Sequence, residues 1–145
     1  MPDHAVTLAR RCAEFLWAKD EAARDLGMVL KAVGPGAASV AMVVTPAMVN
    51  GYDICHGGYV YLLASTTLSI ACQSRNHRAV AQSCQITFLA ASRRGTQLQA
   101  TAREHYAGAR SAIYDVTVAT STGEIIAEFR GHARRTSGVL VVDGE

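Results

Sequence analysis

GGYVYLLASTTLSIACQS, residues 57–74, is the stretch whose reading decides how this chain folds. None of its side chains is charged, and apolar positions occur all around a helical wheel. A helix that is apolar on every side is a buried helix, so the spacing predicts one from Gly57 to about Arg75. A pair of buried strands is the competing reading. It is disfavoured because no turn residue interrupts the run after Gly58. Ser65, Thr66, Thr67 and Ser69 make the segment too polar, and its length too short, to read as a membrane span.

Upstream, Ala5 to Arg24 reads as an amphipathic helix. Phe15, Leu16 and the alanines form one stripe, with Arg10, Glu14, Lys19, Asp20 and Arg24 outside it. Gly27 supplies a stop. Met28 to Val33 then reads as a strand, Gly34-Pro35-Gly36 as a turn, and Ala38 to Thr45 as the returning strand of a hairpin. Pro46 to Cys55 is irregular, with a tight bend at Asn50-Gly51.

Downstream the period changes to two. Val80, Gln82, Cys84, Ile86 and Phe88 share one face of a strand, and Leu98, Ala100 and Ala102 one face of the next. Ala112, Tyr114, Val116 and Val118 follow the Ala107-Gly108 turn, and Ile125, Ala127 and Phe129 follow Thr122-Gly123. The segment from about Thr136 to Glu145 has no settled pattern and is expected to be a mobile tail. An antiparallel sheet must cover its apolar face, and the uncharged helix is the natural cover. The reading is a single α+β domain over residues 1–145, a hotdog fold with the sheet wrapped around a central helix. Edge strands of such a sheet favour pairing between subunits.

The chain has 145 residues, half of them hydrophobic and 18% charged, which suits one globular domain. A formal charge of +2 is too small to imply a nucleic-acid partner. Cys12, Cys55, Cys72 and Cys84 are scattered without a C-x-x-C pair, which predicts free thiols in a reducing compartment. Residues 3–24 contain no apolar signal core, so the expected address is the cytoplasm, with no membrane partner.

Residues 50–58, NGYDICHGG, resemble the signature of PaaI-type hotdog thioesterases, the phenylacetyl-CoA thioesterase group. Ala79-Val80-Ala81, Ile86-Thr87-Phe88-Leu89, Tyr114-Asp115-Val116 and Phe129-Arg130-Gly131 match in the same order, so the likeness runs from about Ala22 to Arg135. The resemblance implies an acyl-CoA thioesterase acting on an acyl- or aryl-acyl-CoA, with no cofactor beyond the CoA of its substrate; Asp53, Cys55 and His56 could be imagined as a metal cluster but lack a distant fourth ligand, so no metal is expected. It also implies a homodimer sharing each site, packed into a homotetramer. By the same likeness, the backbone N–H of Gly57 polarises the thioester carbonyl at the helix N-terminus. His56 and Asn50 donate hydrogen bonds and fix the loop.

That chemistry is physically apt. Free N–H groups and the positive end of a helix dipole stabilise a developing oxyanion, and Gly57 and Gly58 leave room for close approach. Each residue also has a plainer reading: a loop-to-helix turn for the glycines, a helix cap for His56, turn chemistry for Asn50. Tyr59 is a candidate wall for the acyl group, with core packing as the alternative. Arg93 and Arg94 are candidates for CoA phosphates, with Arg110 and Arg130 behind them.

One departure matters. Where the resembling enzymes carry an acidic residue inside the central helix, this chain has Ser65, and no Asp or Glu occurs from Gly57 to Ser74. A serine needs an adjacent base to act as a nucleophile. Three readings follow. Ser65 and Thr66 orient a water, with His56 or a residue of the partner subunit as base. Alternatively, the protein binds acyl-CoA without hydrolysing it. Or it hydrates or dehydrates an acyl thioester, with Asp53 as the nearby acid. Ser65 also has a structural alternative, satisfying a backbone carbonyl within the helix.

Overall fold

The structure, a computed structural model, describes residues 3–142. Its elements are α1 (His4–Trp17), α2 (Glu21–Asp25), β1 (Val29–Gly34), β2 (Ala37–Val43), a 3₁₀ turn at Pro46–Met48, α3 (Gly57–Cys72), β3 (Ala79–Phe88), β4 (Gln97–Ala107), β5 (Ser111–Thr120) and β6 (Ile125–Arg135). The six strands form one antiparallel sheet in the order β1-β2-β4-β5-β6-β3. The sheet wraps α3, which packs mainly on β2, β4 and β5. This is the hotdog fold.

The burial of α3 follows from its composition. Val60, Leu63, Ala64, Leu68, Ile70 and Ala71 meet the alternating faces of Val40 and Met42, of Leu98, Ala100 and Ala102, and of Tyr114, Val116 and Val118. Small residues on the sheet let the helix come close. At Gly131 the contact leaves no room for a side chain, because a Cβ there would lie 2.6 Å from the fully buried Leu68 side chain. Thr67 satisfies its hydroxyl by donating to the Leu63 carbonyl (2.8 Å), the backbone role considered above for Ser65.

Three details differ from the sequence reading. The N-terminal helix does not run through to Arg24. It stops at Trp17, and Asp20 starts the separate α2 by accepting from the Ala23 N–H (3.0 Å), since a carboxylate in that position competes with helix continuation. On β6 the buried residue is Ile126 rather than Ile125, which is 45% exposed. The cause is an irregularity in the β5–β6 register beside Val118, which shifts the alternation by one. The C-terminal segment, expected to be mobile, is tied down as far as it is described. Asn76 accepts from the N–H groups of Leu140 (2.9 Å) and Val141 (3.0 Å) and donates to the Val141 carbonyl (2.9 Å), and Leu140 is buried. Residues 143–145 of that tail lie outside the described residues.

Candidate functional site

The loop 46–56 is shaped by its own backbone before it meets anything else. Asn50 accepts from the Tyr52 N–H (2.9 Å) and the Ile54 N–H (3.4 Å) through its side-chain oxygen, an Asx-type turn. Asp53 takes the left-handed conformation (φ 61°) that closes the bend. The His56 N–H donates to the Met48 carbonyl (2.8 Å), which seats the start of α3 against the 3₁₀ turn.

His56 is the N-cap of α3. Its Nδ1 accepts from the Gly58 N–H (3.0 Å), so the neutral ring carries its proton on Nε2. His56 thus caps the helix through Nδ1, which leaves the Nε2 side of the ring for any hydrogen bond it donates. Tyr59 N–H bonds to the His56 carbonyl (3.0 Å). Of the N–H groups of Gly57, Gly58 and Tyr59, Gly57's alone has no acceptor among the described residues. Replacing His56 with alanine is expected to cost about 0.5–2 kcal/mol, and His56→Asn much less, because asparagine also caps. Urea titration of the two variants beside the parent measures it.

Gly57 lines an open cleft of about 470 Å³, together with Asn50, Ile54, Cys55, Val60, Phe88 and residues 89–92. Phe88 crowds position 57. A Cβ there would lie 2.8 Å from the ring's Cζ, so the aromatic face and the free N–H share one small space. Burial pushes the Cys55 thiol up from its ordinary pKa, and the neighbouring Ser92 hydroxyl offsets part of that. The Cys55 N–H donates to the Ser92 carbonyl (2.7 Å), joining the two walls of the cleft.

The structure brings Asn50, Gly57 and the His56 cap together, with Gly58 held by that cap, and places the other candidates elsewhere. Tyr59 packs against the core, edge-on to His56 with ring centroids 6.5 Å apart. Ser65 lies two turns further along α3, half-buried, and makes no hydrogen bond among the described residues; Thr66 beside it is buried. Tyr61, one turn before Ser65, packs edge-on against Phe129 (5.4 Å), and its phenol is held above the usual range, first by the Cys84 thiol and then by burial. Arg94 is paired with Asp53 in an exposed ion pair. Arg93 is exposed in an adjoining polar groove. The sequence did not assign Phe88, Cys55 or Ser92 to the wall of this cleft. Cys55 and Phe88 lie in stretches that carried the resemblance but gave them no role of their own; Ser92 lies in none, and its backbone bond to Cys55 brings it to the cleft.

A helix N-terminus with one unused glycine N–H opens here on an apolar cleft inside a hotdog sheet. The chain belongs to the thioesterase superfamily, which residues 52–127 match, and within it to the PaaI-type hotdog group. It is 35% identical over 128 residues to the acyl-coenzyme A thioesterase PaaI of Escherichia coli (strain K12), covering 88% of this chain and 91% of that one. A putative esterase of Archaeoglobus fulgidus is 28% identical over 130 residues, covering 90% and 84%. The solved structure of the E. coli PaaI protein from the phenylacetic acid degradation operon superposes with a TM-score of 0.91 at 34% identity, covering 92% of this chain and 97% of that one. A single-residue mutant of the phenylacetic acid degradation protein PaaI from Thermus thermophilus superposes with a TM-score of 0.78 at 31% identity, covering 81% and 100%.

Proposed function

We propose that this protein binds acyl-CoA thioesters with the carbonyl oxygen at the Gly57 N–H, and that it lacks the carboxylate needed to hydrolyse them at an enzyme's rate. One observation carries the reading. The free N–H at the start of α3 opens on the cleft, while the helix from Gly57 to Cys72 has a half-buried serine and no acid. Carbonyl polarisation without a general base leaves attacking water unactivated, and a base contributes about two to four orders of magnitude to such a reaction. CoA phosphates fall to Arg93, since Arg94 is engaged by Asp53. That same pair argues against hydratase chemistry, because it ties up the one nearby acid.

Hydrolysis is the second reading, favoured by the identity to the E. coli thioesterase. Ser65 and Thr66 would orient a water, with His56 or a group from the partner subunit accepting the proton. In either reading the site is completed across a homodimer paired along β3. This strand is an edge of the sheet, and its Val80 and Phe88 are 56% and 52% exposed. Two such dimers would form a homotetramer. A cytoplasmic location suits the four free thiols, and no helix among the described residues is long and apolar enough to cross a membrane.

Calorimetry and a thiol-release assay on one panel of acyl- and aryl-acyl-CoAs separate these readings. Saturable binding with no thiol release above the uncatalysed rate is the expected result. Steady turnover would establish the second reading, and a panel without any binding would overturn both.

A further inference from the structure

Residues 139–142 belong to no helix or strand, and among the described residues no backbone–backbone hydrogen bond reaches them. Side chains hold them instead. Asn76 accepts from the Leu140 and Val141 N–H groups and donates to the Val141 carbonyl. Arg78 Nε donates to the Val139 carbonyl (3.0 Å), and Arg11 of α1 donates to the Val142 carbonyl (3.0 Å). Leu140 is the one buried side chain of the four, with Val139 and Val142 more than half exposed. Main-chain hydrogen bonds and an anchoring side chain are the elements of peptide recognition, and here side chains supply the partners in place of a strand edge. Asn76 itself points to a purpose beyond a turn. Its backbone is left-handed (φ 68°), a conformation that glycine adopts at lower cost, so the turn alone would favour glycine. It is 6% exposed, and apart from the Cys12 thiol (3.7 Å) its side-chain amide bonds to the tail and nothing else among the described residues. With the tail removed, this buried amide loses those partners, which costs free energy and favours an occupied site.

We propose that Asn76, Arg78 and Arg11 form a peptide-binding site, filled in each molecule by its own residues 139–142 and able to take the same segment from a second copy of this chain. The tail is a tethered ligand, and exchange of tails between copies is the interaction that the site supports. The inference does not depend on the acyl-CoA reading, because Asn76 lies past the C-terminal end of α3, away from Gly57.

The test uses the full-length chain and a fluorescently labelled synthetic peptide of residues 136–145. In the wild type the tethered tail competes at high effective concentration, so the peptide is expected to bind weakly. Leu140→Asp in the protein removes the anchor of its own tail. Fluorescence anisotropy is then expected to show the peptide binding about tenfold or more tighter than to wild type. Adding Asn76→Gly to Leu140→Asp is expected to abolish that gain, since glycine keeps the backbone conformation but not the amide. In Asn76→Gly alone, the Leu140 and Val141 amides are expected to exchange hydrogen about tenfold or more faster, with the amides of the β3–β6 pair unchanged. Equal peptide affinity for wild type and Leu140→Asp, or binding that survives Asn76→Gly, would overturn the site. Unchanged exchange at Leu140 and Val141, or faster exchange spread over β3 and β6, would do the same by leaving Asn76 a turn residue only. A Leu140→Asp chain that fails to fold would make the segment part of the core rather than a ligand, and would overturn it too.

Discussion

Ser65→Asp is expected to raise thioester turnover by about two to four orders of magnitude, the usual contribution of a general base. Position 65 sits on α3 two turns past Gly57, where the resembling enzymes have their acid. The serine hydroxyl makes no hydrogen bond among the described residues, so nothing is broken by replacing it. It is half-buried rather than enclosed, which leaves an ionised aspartate partly hydrated and limits the desolvation penalty of a buried charge. The free Gly57 N–H is untouched by the change. Thiol release from phenylacetyl-CoA, measured beside wild type and Ser65→Ala, reads the outcome. A large gain in Ser65→Asp alone shows that the machinery is complete apart from the acid. An unchanged rate in Ser65→Asp, with loss in Ser65→Ala, would mean that the serine itself orients the water.

Phe129→Ala should lower stability by about 3–5 kcal/mol, the cost of emptying the space of a buried aromatic ring. Phe129 is 2% exposed and lies in β6 between Ile86 of β3 and Val116 of β5. Its ring also meets Tyr61 edge-on, a contact worth about 0.5–1.5 kcal/mol more. Against a typical stability of about 5–15 kcal/mol for a domain, this loss removes a large part of the total. Urea unfolding followed by circular dichroism measures it, and a shift below about 1 kcal/mol would show that the site collapses around the missing ring. The loss bears on function as well, because Tyr61 is on α3 between the Gly57 N–H and Ser65.

The two substitutions probe different levels of legibility. The uncharged run 57–74 announced a buried helix, and the period-two segments after it announced the strands, because burial and backbone geometry each impose a regular spacing on the residues. Gly57 and His56 were also visible, as chain neighbours opening one helix. Their roles were only half visible: sequence could not show that His56 Nδ1 is spent on the Gly58 N–H, which leaves the Gly57 N–H as the free donor. Similarly, the break at Trp17 and the slip at Ile125 arise from a local cap and a register irregularity, and neither disturbs hydrophobic periodicity enough to be read in advance.

The sequence by itself determined the hotdog architecture, the order of its elements, the helix-opening glycines and the absence of an acid on α3. Only the tertiary structure decided what stands around Gly57. Phe88 and Ser92 are distant from it along the chain, and no local pattern records which way a strand end and its following loop will turn. Pairing of β3 with β6 puts the Phe88 ring over Gly57, and the Cys55–Ser92 backbone bond draws the loop against the cleft. The uncharged helix that opens at Gly57 thus specifies where the free N–H stands, and the packed sheet specifies what surrounds it.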